Sequence, residues 1–188
     1  MMKRKIKAVR SDELVFQNVS ESGMTLEQVK ERILAFMGKD PQSEYHFVIG
    51  TDSQVFRGHT KFVTGIIIRR MGKGAWACYR QVVVPRELRS IREKLAVETS
   101  LSQEIAACFM GGILEEMEET LLPYLYKGAV LELFIDIDAG THPTINKTSQ
   151  YVKEMVDRVE AMGLYAARVK PESYGASAYA NRWTKKSV

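Results

Sequence analysis

The spacing of apolar positions changes several times along this chain, and each change marks an element. Thr25-Leu26-Glu27-Gln28 has the form of a capping box. Leu26, Val29, Ile33 and Phe36 then continue one helical face towards Gly38, ahead of Pro41. The short apolar run His46–Thr51 predicts a first strand, closed by Asp52 and followed by a polar connection over residues 53–60. Lys61–Arg70 and Ala75–Val84 are rich in β-branched residues and flank the turn Met71-Gly72-Lys73-Gly74, so they extend the first strand into an antiparallel meander. Beyond Pro85 a long helix is expected from about Arg89 to Leu121, loosened at Gly111-Gly112. A strand over Val130–Asp138 comes next, then a helix from about Ile145 to Met162 with Gly163 as its C′ residue. Leu164–Val169 is the fifth strand, and Ala176–Lys185 a last helix after Pro171 and Gly175.

The element order is β-β-β-α-β-α-β-α behind an N-terminal helix. A meander followed by two strand–helix units predicts an α/β fold with a mixed five-stranded sheet, antiparallel strands first and parallel strands after, with helices on both faces. At 188 residues the chain suits one domain. Residues 1–24 are polar and read as a flexible segment, leaving 25–188 as the domain.

Composition narrows the function classes without selecting one. The net charge is +4, with a basic run at Lys3-Arg4-Lys5, which permits a polyanionic partner such as RNA or DNA without requiring it. The two cysteines, Cys78 and Cys108, have no CxxC partner and read as reduced core residues. His46, His59 and His142 are too scattered for a zinc site. No apolar run has the length of a membrane span, and the basic N-terminus lacks the apolar stretch of a signal peptide, so no membrane partner and a cytoplasmic location are expected. Nothing in the sequence fixes an oligomeric state.

Chemistry concentrates in the acidic residues. Side chains alternate along a strand, so Asp136 and Asp138 share a face at the carboxyl end of the fourth strand. Asp52 sits at the corresponding end of the first, and ligands of open α/β sheets bind beyond those ends. On the long helix, at about 100° per residue, Glu98 lies within about 60° of Ile91, Leu95, Leu101, Ile105, Phe109 and Ile113, in the middle of the apolar stripe. A glutamate so placed calls for a partner, either a metal ion or a buried hydrogen bond. The aspartates, taken singly, are also ordinary turn residues. Converging carboxylates have a divalent cation as their natural partner.

Ile49-Gly50-Thr51-Asp52-Ser53-Gln54, Ile135-Asp136-Ile137 and Val169-Lys170-Pro171-Glu172-Ser173-Tyr174-Gly175-Ala176-Ser177 resemble the YkuK-type family of bacterial ribonuclease H-like proteins. The resemblance runs from Thr25 to the C-terminus. It implies a ribonuclease H-like fold and a divalent-metal nuclease centre, with Asp52, Glu98 and Asp136 as catalytic metal ligands. The fourth acidic position of that superfamily falls on Asn181, which offers a neutral oxygen and no charge, and Asp138 stands close enough to substitute. Two Mg²⁺ or Mn²⁺ ions about 3.5–4 Å apart would be clamped by such a set. Lys170, Arg182 and Lys185 are the expected phosphate contacts, each equally readable as a solvated cation. His142 reads as a proton shuttle or a surface loop residue. The alternatives are a non-catalytic module binding nucleic acid or protein, and a metal-free acidic cluster satisfied by Lys170, Thr51 and backbone amides.

Overall fold

A computed structural model describes residues 14–143 and 147–185, with backbone alone at Ala176 and Ser177. One five-stranded sheet organises the chain, in the order β3-β2-β1-β4-β5. Strand β1 (Glu44–Phe56) is central, antiparallel to β2 (His59–Arg70) and parallel to β4 (Val130–Gly140). Strand β3 (Gly74–Val84) continues the meander on one side, and β5 (Ala166–Lys170) lies parallel to β4 on the other. Central position explains why Phe47, Val48 and Ile49 are all buried without alternation, since β1 is covered on both faces.

Helices α1 (Leu26–Gly38), α2 (Ile91–Met110), α3 (Ile113–Leu121) and α4 (Val152–Glu160) contribute their apolar faces to one large core with Phe47, Ile49, Ile66 and Ile135. The opposite face is covered by a π-helical turn (Gly175–Ala180) and the short α5 (Asn181–Thr184), around Val63, Tyr79, Ala180 and Trp183. No helix among the described residues is long and apolar enough to cross a membrane.

Several local expectations shift. The Thr25 capping box forms, its hydroxyl accepting from the Gln28 N–H while Gln28 accepts from the Thr25 N–H. The long helix is two helices, because Gly112 takes φ +108°, a backbone conformation that only glycine adopts cheaply. Strand β1 does not stop at Asp52. It runs on to Phe56 and turns at Gly58 (φ +81°) into β2, so residues 53–60 belong to a hairpin. The helix expected from Ile145 is shorter, a 3-10 turn at Ser149–Tyr151 leading into α4; residues 144–146 lie outside the described residues. Within the segment expected to be flexible, residues 1–13 also lie outside them. Leu14, Phe16 and Met24 are buried, and Gln17 bridges Tyr79 at the sheet edge, so residues 14–24 pack as part of the domain.

Candidate metal centre

Strands β1 and β4 keep parallel register from Glu44/Val130 to Gly50/Asp136. Beyond that point β1 stays with β2, while β4 follows β5 through an irregular register between Asp136 and Gly140. The two strands part, and a cavity of about 260 Å³ opens where they diverge. Asp52 and Asp138, each two residues past the last registered pair, line it. Helix α2 brings Glu98 from the other face, and Lys94, Lys147, Lys170 and Ser53 complete the polar wall.

These carboxylates are held and poorly solvated. Glu98 is 8% exposed, and burial pushes its carboxyl up to about 8, aided by Asp52 and Asp138 and opposed by the Ser53 hydrogen bond. Ser53 Oγ donates to Glu98 Oε1 at 2.5 Å. Burial likewise raises Asp52, against the Thr184 hydroxyl, which donates to Oδ2 at 2.8 Å. Lys170 Nζ stands 3.0 Å from Asp138 Oδ1.

The donor set fits a hard divalent cation. It consists of oxygens only, the preference of Mg²⁺ and Mn²⁺. Two of its carboxyls carry raised pKa values from burial and from like charge, a condition that a bound cation relieves.

Residues 28–185 match the Ribonuclease H-like family. The chain belongs to that family. It is 44% identical over 175 residues to the Bacillus subtilis (strain 168) protein named "Uncharacterized protein YkuK", an alignment that covers 93% of this chain and 99% of that one. No solved structure gives a significant match. The sheet order and the mixed strand directions agree with a ribonuclease H-like fold.

Within this ribonuclease H-like sheet the anticipated ligands separate into two groups. Asp52, Glu98 and Asp138 line the cavity, whereas Asp136 does not. The Asp136 side chain has no solvent exposure, and its carboxylate accepts from Arg168 Nε at 2.7 Å and from the Gly175 N–H at 2.5 Å. The cause is register. Arg168 lies directly opposite Asp136 across the β4–β5 ladder, its guanidinium between the rings of Phe134 (4.2 Å) and Tyr174 (4.4 Å). Asp136 is therefore engaged by a cation of the protein itself, and the third cavity carboxylate is Asp138.

Asn181 opens α5 outside the cavity lining, and its main-chain carbonyl lies 3.0 Å from Thr184 Oγ1. The residue that reaches Asp52 from this helix is Thr184, one turn later. Arg182 is exposed, stacks on Trp183 and borders a different pocket with Trp76 and Tyr179. Lys185 is exposed and away from the cavity. Of the expected phosphate contacts only Lys170 stands at the site. His142 is exposed in the loop after β4.

Sequence reasoning did not single out Ser53, Lys94, Lys147 or Thr184. Lys94 carried a signal, lying four residues before Glu98 and so on the same helical face. Among the described residues, the trio of potential ligands with all donor atoms within 4.8 Å is elsewhere: Glu44, His46 and Glu132, at the amino ends of β1 and β4. There His46 Nε2 lies 3.0 Å from Glu44 and 2.7 Å from Glu132, both half-exposed carboxylates. The cavity carboxylates stand wider apart than that trio.

Proposed function

We propose that this ribonuclease H-like protein is a divalent-metal-dependent nuclease that hydrolyses phosphodiester bonds of RNA or DNA. The observation that carries the reading is the convergence of Asp52, Glu98 and Asp138 on one cavity, with Glu98 buried and its carboxyl raised to about 8. These residues would hold Mg²⁺ or Mn²⁺. When bound, such an ion supplies charge neutralisation at a phosphate oxygen and acidifies a water for attack. Ser53 fixes the Glu98 carboxylate and Thr184 fixes Asp52, so the donors are aligned before substrate arrives. Lys94, Lys147 and Lys170 ring the carboxylates and draw a polyanionic backbone towards them.

One feature favours a second reading, a non-catalytic module that binds nucleic acid or protein. Asp52 meets a hydroxyl from the last helix, where a fourth carboxylate would add charge for a second ion. Mn²⁺ calorimetry on wild type and Asp52→Asn, followed by cleavage assays on labelled RNA–DNA hybrid, single strands and branched DNA, separates the two. Saturable binding lost in Asp52→Asn, with metal-dependent cleavage, is the expected result. Binding without cleavage selects the module. No binding at millimolar Mn²⁺ removes the metal centre from consideration.

A further inference from the structure

The ion pair between Lys170 and Asp138 does not resemble the one between Arg168 and Asp136. Arg168 is 14% exposed, clamped between two rings, and faces a carboxylate of 0% exposure. Lys170 is 44% exposed at the end of β5, and its carboxylate partner is 21% exposed. Its ammonium touches one oxygen of one ligand in the proposed centre, and Lys170 itself lines the same cavity as Asp52 and Glu98. An ammonium on four flexible methylenes is a point charge that changes partners readily, which a clamped guanidinium is not.

We infer that Lys170 is an exchangeable counterion: it neutralises Asp138 in the metal-free protein, yields that oxygen to a divalent cation, and then takes a substrate phosphate as its new partner. This rests on the metal reading of the cavity. Two linked consequences follow from it. Lys170 competes with the cation for Asp138, so the free protein binds metal more weakly than its carboxylates alone would. Its displacement leaves a mobile ammonium beside the loaded centre, so cation binding strengthens the hold on a phosphodiester backbone, and by reciprocity the backbone strengthens the hold on the cation. The cavity thus couples its two ligands, metal and nucleic acid, each favouring the other. Lys94 and Lys147 line the same cavity without an ion pair to Asp138, and serve as internal comparisons.

The test is a double-mutant cycle read by Mn²⁺ calorimetry, independent of catalysis. Lys170→Met should tighten Mn²⁺ binding about two- to fivefold, the range expected when a partly exposed ion pair is removed from competition. The gain should vanish in an Asp138→Asn background, because the contested oxygen's charge is then gone. Lys94→Met should give a smaller gain that persists in that background, as a through-space charge effect does. Lys170→Arg, which keeps the charge and the reach, should stay near wild type. In parallel, the affinity of a fluorescent single-stranded oligonucleotide is measured with and without Ca²⁺. The Ca²⁺-dependent gain should fall severalfold in Lys170→Met. An unchanged Mn²⁺ affinity in Lys170→Met overturns the inference while leaving the metal centre standing, as does a gain that survives intact in Asp138→Asn. Failure of wild type and Lys170→Met alike to bind Mn²⁺ overturns the metal reading itself.

Discussion

Asp136 and Asp138 sit two residues apart on one strand, and their fates are opposite. The first is closed off under Arg168, Gly175 and two aromatic rings; the second borders an open cleft. Strand alternation makes them equivalent, so what separates them is the neighbouring strand. Opposite Asp136 the β4–β5 ladder is regular and supplies an arginine; past it the register breaks and β1 departs. A carboxylate inside a regular ladder is held by a clamped arginine, and one at the point where strands diverge has a half-exposed lysine for its partner.

The strongest way to break this comparison is Asp136→Asn. It strands the Arg168 charge beneath the aromatic rings, and loss of one partner of a buried pair costs about 3–5 kcal/mol in denaturant unfolding. Asp136→Leu combined with Arg168→Met should recover most of that loss. A mild effect of Asp136→Asn would show that the Arg168 pair is not what holds this region closed.

Glu98 gives the next effect, through pH. Burial pushes its carboxyl up to about 8 in the folded protein from an ordinary 4.5, so the folded state binds the extra proton between those values. Stability contributed by this group is therefore full below pH 4.5 and falls as pH rises towards 8. Glu98→Gln should remove that decline, a gain of about 1–3 kcal/mol at pH 8 in metal-free buffer. Mn²⁺ affinity of the wild type should climb over the same window, since cation and proton compete.

Gly175→Ala tests the closed region sterically. A Cβ there would stand 2.8 Å from Val48 Cγ1 and 2.9 Å from Asp136 Oδ2, and overpacking of this kind costs about 1–3 kcal/mol. Thr184→Val tests the open one. It removes a hydrogen bond worth about 1 kcal/mol, raises the Asp52 carboxyl further, and should shift the pH midpoint of Mn²⁺ binding upward. The smallest expected effect is Asn181→Asp. Its position lies outside the cavity, so metal affinity should be unchanged and stability should move by no more than about 0.5 kcal/mol. A marked tightening would show that α5 contributes to the centre through Asn181.

Much of this architecture was legible in the sequence. Element order alone gave the mixed sheet, and helical geometry alone put Glu98 in a buried stripe, where it lies. Three things were not legible, each for a physical reason. Period-two alternation cannot rank Asp136 against Asp138, because that choice depends on which residue of a strand some thirty positions away stands opposite. The polar stretch after Asp52 reads as a loop because its strand leaves the buried centre of the sheet, so apolar continuity fades while pairing with β2 persists. Asn181 rests on the resemblance alone, and no pattern in the sequence points to Thr184, because which residue of the last helix meets Asp52 depends on how Gly175–Ala180 is wound. That stretch is wound as a π-turn, which rotates the face presented by every residue after it.

Asp52 and Thr184 are 132 positions apart, and that distance has a meaning during synthesis. A chain emerging from the ribosome acquires β1, α2 and β4, and with them all three cavity carboxylates, before Lys170 or Thr184 has been made. At that stage the unfinished cleft carries three acids without the lysine that neutralises one or the hydroxyl that holds another. The residues translated from β5 onward therefore finish the cleft, supplying the partner of Asp138 and the hydroxyl on Asp52 last.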